Sequence, residues 1–226
     1  MQKPVVDYRG FRLSRIGEPQ YAHLLYLLGW AVYFALYILT ENLIPAQRCH
    51  PVHCRLDDLI PFCEVFVIPY VFWYFLILLS LYRFGRYDPE NFKRMQIFFF
   101  VTQLAATAVY LLYPTRQELR PAVFPRENLL TDVVALLYAA DTNTGVCPSL
   151  HAAGAIGIAS AWLKSKSASA LQKALIVLSA VLICLSTVFI KQHSAVDVLA
   201  ALPLSLLAEA VAYGRSYWLP RLKKHR

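Results

Sequence analysis

The sequence predicts an all-α polytopic membrane protein, six transmembrane helices in one bundle, and three observations carry that prediction. Of 226 residues, 58% are hydrophobic and only 16% are charged, where an average soluble domain carries about 25% charged residues. Several apolar runs are long enough to cross roughly 30 Å of hydrocarbon. The runs are continuous rather than alternating, which reads as helix. A bilayer admits only helices or closed barrels, because its core offers backbone polar groups no water.

Taken in order, the first run is Tyr21–Ile44. It is too long for a signal-peptide core and lacks a small-residue cleavage site after it, so it is expected to stay as an anchor. The second and third are Pro61–Tyr82 and Met95–Tyr113. The fourth, Pro148–Leu163, is short and suits a span with one end sunk into the protein. Within it, Ala153, Gly157 and Ala161 recur at four-residue spacing beside Gly154, a pattern that lets another helix approach closely. The fifth and sixth are Leu171–Ile190 and Ser194–Tyr213. Residues 1–20 and 214–226 then read as tails around a single membrane domain, 21–213. Between the third and fourth spans, Leu129–Ala140 is apolar apart from Thr131 and Asp132. It reads as a short interfacial helix over a site or as a plain loop helix.

The formal charge is +8. In a soluble chain that balance suggests nucleic acid, but here the charges lie mainly between apolar runs, so orientation accounts for them and no nucleic-acid partner is expected. With the N-terminus in the cytoplasm, 16 of the 22 Lys and Arg fall inside. Only Arg48, Arg55, Arg116, Arg120, Arg126 and Lys191 fall outside. The positive-inside rule therefore puts both termini in the cytoplasm. The expected location is the plasma (inner) membrane, with any site on the extracytoplasmic face.

Functional residue types converge on that face. His193 and Asp197 are four apart, hence on one side of a helix. The carboxylate can hold one imidazole nitrogen and leave the other as a nucleophile or base. A capped helix start with an interfacial ion pair is the alternative. Cys147-Pro148-Ser149-Leu150-His151 opens the fourth span. Proline and serine favour a helix start, whose free N–H groups suit an anion, and His151 adds a titratable proton. A capped span with a satisfied histidine is the alternative here. Arg116 and Arg120 follow the third span and are able to clamp a phosphate through forked donors, or to serve as loop charges. Together these residues offer a nucleophile, an acid and cations, the set that phosphoryl transfer needs.

The three segments resemble the signature motifs of the type 2 phosphatidic acid phosphatase (lipid phosphate phosphatase) superfamily. Arg120-Pro121 is similar to the end of the first motif. Pro148-Ser149-Leu150-His151 is similar to the second, with Leu150 where glycine is common. STVFIKQHSAVD, Ser186 to Asp197, is similar to the third. The resemblance covers roughly the C-terminal half. It implies a six-helix membrane fold, no metal or other cofactor, and a lipid phosphate as substrate. His193 would become phosphohistidine, Asp197 would orient it and His151 would protonate the leaving oxygen. Arg120, Ser149 and Ser186 would meet the phosphate. The first motif's usual lysine falls at Tyr113 and the third motif's usual arginine at Thr187. Arg116 and Lys191 are the expected substitutes, so Lys191→Ala is expected to cripple turnover. The Ser-Thr and Pro-Ser-Leu-His forms also resemble inositol phosphorylceramide synthases, which transfer a headgroup between lipids. Hydrolysis, headgroup transfer, and lipid binding or transport without turnover remain three readings.

Other polar features are less specific. Cys49-His50-Pro51-Val52-His53-Cys54 leaves a disulfide or free thiols open, and crowding around the proline disfavours zinc. Cys63, Cys147 and Cys184 read as buried small apolar residues. Glu41, Asp57, Asp58 and Glu64 flank the outer ends of the first two spans. Pairing with cations such as Arg48 or Arg55 is the favoured reading of these acids, and binding of a polyol or amine headgroup is the other.

Overall fold

The computed structural model describes residues 4–224, without the side chains of Glu41 and Asn42. Lys3 and Arg226, counted in the charge balance, lie outside the described residues, as does the side chain of Glu41. The chain is 71% helix and 2% strand. Among the described residues, five helices are long and apolar enough to cross a membrane.

Helix α1 (Gly29–Leu43) follows 3-10 turns over Ala22–Leu28, so the first apolar run is not α-helical throughout. Gly29 lies directly against the Phe100 ring, where a Cβ would collide, and this lets the start of α1 approach α4 (Pro89–Leu112). A short helix, α2 (Arg55–Leu59), lies between α1 and α3 (Val67–Tyr87). Asp88 alone joins α3 to α4. It accepts from Asn91 N at 3.2 Å, and Pro89 supplies a preset φ in the first turn. The helices therefore extend past the predicted ends at Tyr82 and Met95. Arg83, Arg86, Lys93 and Arg94 lie in terminal helical turns and not in a loop.

Helix α5 (Leu129–Ala140) has the predicted bounds and begins with an Asn128 cap. Helix α6 (Leu150–Lys164) covers the predicted fourth span. At 15 residues it is about 22 Å long, below the roughly 20 residues a span needs, and it is not among the five long helices. Its small residues explain its place: Ala152, Ala153, Gly154, Ala155, Gly157 and Ala161 are all buried, and α6 is enclosed by α3, α4, α7 (Ala170–Phe189) and α8 (Ala195–Tyr213). Capping boxes at Ser169 and Ser194 begin α7 and α8. After a π turn at Gly214–Trp218, α9 (Leu219–Lys224) ends the described chain.

The bundle's polar groups are partly inside and its large apolar side chains partly outside. Ser80, Gln96, Thr102 and Gln103 are buried, whereas Leu78, Leu178 and Leu206 are 64%, 55% and 70% exposed. A two-residue strand, β1 (His50–Pro51), pairs in parallel with β2 (Thr115–Arg116) and fastens the first long loop to the exit of α4.

The small-residue face of α6 yields a direct test of this packing. A Cβ on Gly157 would lie 2.5 Å from Phe98 Cδ1, and one on Gly154 would lie 3.0 Å from Trp73 Cζ2. Gly157→Ala is expected to destabilise the fold by about 1–3 kcal/mol through overpacking, and Gly154→Ala by less. Gly17→Ala, which meets nothing within 4 Å, is expected to leave the melting temperature in detergent unchanged.

Candidate active site

The turn from α7 to α8 is built as a helix stop. Ile190 ends α7, and Lys191 follows with φ +55° in the left-handed region. Lys191 N–H donates to Val188 O at 3.1 Å and Gln192 N–H to Thr187 O at 2.9 Å. That is the Schellman pattern, here with lysine where glycine is usual. His193 N–H also donates to Thr187 O, at 3.0 Å. The reversal delivers Gln192 and His193 to the wall of a cavity just before Ser194 caps α8.

His193 Nδ1 lies 3.2 Å from Asp197 Oδ2. The carboxylate is fully buried and also accepts from Ser194 N–H at 2.9 Å. With Nδ1 bound in this way, the lone pair is left on Nε2. The backbone of Asp197 accepts from Ser149 N–H at 3.0 Å, which joins the start of α6 to the first turn of α8. The Cys147 thiol stands beside the same carboxylate. Burial and the Asp197 charge push that thiol up to about 12, so it keeps its proton.

His151, in the first turn of α6, stacks on Tyr70 at 4.3 Å and lies 4.3 Å from the Trp73 ring. The cavity that His151 and His193 share has a volume of about 570 Å³. Gln192, Asp141, Thr142 and Thr144 line it with them at one end. From there it runs between α1 and α3, past Tyr70, Trp73 and Tyr74 to Ile77, Leu78 and Leu81, and past Tyr37, Phe34 and Trp30 to Leu27. The eleven residue steps from Tyr70 to Leu81 give it a length of about 16 Å at 1.5 Å per residue. Helix α5 closes its polar end with Leu137 and Ala140, and Tyr138 Oη donates to Ile190 O at 2.6 Å. Four buried side-chain nitrogens on this wall have no hydrogen-bond partner among the described residues: His151 Nε2, Gln192 Nε2, Trp30 Nε1 and Trp73 Nε1. Such groups are costly unless something meets them.

Arg120 stands behind the cavity. Its Nη1 donates to Tyr138 O and Asp141 O, both at 3.1 Å, and its Nη2 to Thr142 O at 2.8 Å and Gln192 Oε1 at 2.6 Å. By holding the Gln192 oxygen it turns the amide nitrogen away from itself.

Four expected phosphate ligands lie elsewhere. Arg116 pairs with Glu118 at 2.7 Å and donates to Ala46 O and Cys49 O, because β2 carries it into the first loop. Lys191 Nζ donates to Asp57 O at 2.8 Å and to Ile60 O, across the C-terminal end of α2. Ser186 Oγ donates back to Ile183 O within α7. Ser149 Oγ accepts from Ala152 N–H at 3.3 Å as the cap of α6. Each serves a helix end or turn, and none lines the cavity. The acids flanking the first two predicted spans are paired mostly as expected but with other partners: Glu64 with Arg126 and Asp58 with His53. Cys49 and Cys54 are free thiols. Among the described residues no three His, Cys, Asp or Glu side chains are grouped to hold a metal ion.

Asp57 is the residue whose role the sequence concealed. It is 2% exposed, accepts from Ser194 Oγ at 2.6 Å and Ala195 N–H at 2.8 Å, and so clamps the first turn of α8 from 137 residues away. Burial pushes its carboxyl up. Hydrogen bonds from Ser194, Ala195 and Cys54 outweigh that and hold it below its ordinary value of 3.8. Burial pushes the Lys191 ammonium down, while Asp57 and Asp58 pull the other way. Nothing in the local sequence distinguishes Asp57 from its neighbour Asp58.

Comparison of the chain with family models, with curated proteins and with solved structures returned no match.

The geometry gives Lys191 a structural role at the end of α2. Lys191→Ala is expected to lower the melting temperature and to be strongly non-additive with Asp57→Ala, since the two share one network. Asp57→Ala alone orphans buried donors and is expected to cost about 3 kcal/mol. A carboxyl depressed in the folded state contributes stability above its unfolded value, about 3.9. The Asp57 contribution should therefore be complete at neutral pH and disappear as the pH falls below about 4. Asp57→Asn should flatten that part of the acid-unfolding profile.

Proposed function

We propose that this chain is a polytopic membrane enzyme that transfers the phosphoryl group of a lipid phosphate through a phosphohistidine at His193. The observation that carries the reading is the shared cavity: His193 and His151 face one polar end, and the same space continues as an apolar slot about 16 Å long. A phosphate ester with a hydrocarbon chain has that polarity. The five long apolar helices and their exposed leucines support a bilayer setting. In that setting α6 is a short inner helix and the positive-inside bias puts the polar end of the cavity on the extracytoplasmic side.

The chemistry follows from the two imidazoles. Asp197 holds the Nδ1 proton of His193, and Nε2 attacks phosphorus. The P–O bond to the lipid breaks, and its electron pair leaves on the alcohol oxygen. His151 enters this step as imidazolium, a form that the substrate's negative charge favours, and gives its proton to that oxygen. In the second step water or a lipid alcohol attacks the phosphohistidine, its proton goes to His151, and the P–N electron pair returns to His193. The Gln192 amide, held by Arg120, faces the phosphate oxygens with fixed N–H donors. Arg120 thus acts through Gln192 instead of touching the phosphate itself. Water as acceptor makes the protein a lipid phosphate phosphatase, and a lipid alcohol makes it a headgroup transferase.

Purified protein given short-chain lipid phosphates in a chelator is expected to release free phosphate or, with an alcohol acceptor present, a new phospholipid. His193→Ala should abolish turnover. Asp197→Asn should reduce it on the order of 10⁴-fold, as when a catalytic histidine loses the carboxylate that fixes its tautomer. His151→Ala should cost about 10²- to 10⁴-fold. Neither product from correctly folded protein, or full turnover by His193→Ala, would leave lipid binding or transport as the better reading.

A further inference from the structure

The cavity's charge does not match a bare phosphate. Asp141 is the one carboxylate on its wall among the described residues, and no Lys or Arg lines it there. Arg120 lies behind, with two of its four acceptors being backbone oxygens of Asp141 and Thr142. The Asp141 carboxylate accepts from Tyr37 Oη at 2.7 Å, which aims it from the end of α5 toward α1. A phosphate brought to His193 therefore enters a chamber that already holds a negative charge at its rim. Like charges in a partly desolvated space repel strongly, unless the ligand carries its own cation.

The surrounding wall suits such a cation. Tyr37 holds the carboxylate, and Tyr70, Trp73 and Tyr74 line the same space. The Trp73 and Tyr74 rings are 5.0 Å apart. Ring faces attract an ammonium electrostatically, most strongly where water is excluded. An aromatic wall alone would suit an acyl chain as well. The carboxylate among the rings is what separates the two uses, since a hydrocarbon gains nothing from it.

We infer that Asp141 and the aromatic side chains around it form a subsite for an ammonium group, so that the phosphate ester taken by this cavity is zwitterionic, with a choline- or ethanolamine-type headgroup. The inference rests on the phosphoryl-transfer reading for the phosphate's place at His193. In the reaction the P–O bond to the lipid backbone breaks, the lipid alcohol leaves with a proton from His151, and the ammonium-bearing phosphoryl group stays on His193 Nε2. A water or alcohol then takes it up, with its proton going to His151. The ammonium is neither made nor broken.

The test compares dihexanoyl phosphatidylcholine with dihexanoyl phosphatidic acid on the full-length protein in non-ionic detergent at pH 7. Binding is read by tryptophan fluorescence, and turnover by release of dihexanoylglycerol. The zwitterionic lipid is expected to bind about tenfold more tightly, the scale of a desolvated cation–aromatic contact. Asp141→Asn, which keeps an acceptor for Tyr37, should erase the difference by weakening the zwitterionic lipid alone, and Asp141→Glu should restore part of it. Phosphatidic acid binding as tightly as the zwitterion in the wild type, or a preference that survives in Asp141→Asn, would overturn the subsite. The wild-type comparison stands even if a variant misfolds. A binding preference without turnover of either lipid would leave the subsite intact and defeat the catalytic reading. Equal binding with rapid turnover of both would do the reverse.

Discussion

The structure turns on one knot of hydrogen bonds at the first turn of α8. Asp57 clamps Ser194 Oγ and Ala195 N–H from outside the helix, and Asp197 accepts Ser194 N–H and faces His193 Nδ1 from inside it. Ser149 N–H, at the start of α6, donates to the backbone of Asp197. Lys191 ties the preceding turn to the end of α2. Four elements distant in sequence are thus held at the point where His193 leaves the backbone. Charge-assisted hydrogen bonds in a buried setting are strong when every partner is present and costly when one is lost. The position of the imidazole is consequently a property of the fold and not of a mobile loop.

This arrangement divides labour between charges that build the site and groups that face the cavity. Arg116, Lys191, Ser186 and Ser149 have donors or acceptors engaged with the backbone or with Glu118, so they maintain shape. Among the described residues, the polar end of the cavity face carries imidazoles, an amide, hydroxyls and one carboxylate. Lysine in the left-handed position of the turn costs on the order of a kilocalorie that glycine would not. Its ammonium recovers that through the α2 carbonyls, which is a physical reason for a cation two residues before His193.

Much of this was legible in the sequence, and the limits have physical causes. Continuous apolar runs announce helices through local chemistry, and the structure has a helix over each of them, with ends displaced by several residues where caps such as Asp88 and Pro89 set the bounds. The i,i+4 spacing of His193 and Asp197 similarly foretold their contact. The small residues of the short fourth run were the sign of its burial among the other helices. The partners of Arg116 and Lys191 were not legible, since spacing along the chain gives proximity but not the direction of a long side chain. Asp57, Asp141 and Gln192 needed tertiary contacts across 137, 104 and 72 residues to acquire meaning, and no local pattern encodes those.

The central claim is that Nε2 of His193 bonds covalently to phosphorus within the cavity. Its most direct measurement is mass spectrometry of protein quenched in alkali, where a phosphoramidate survives, during turnover of a lipid phosphate. Phosphate on the peptide containing His193, lost in His193→Ala, is the expected result. Turnover without any phosphorylated His193 peptide, or phosphate on another side chain, would contradict the account.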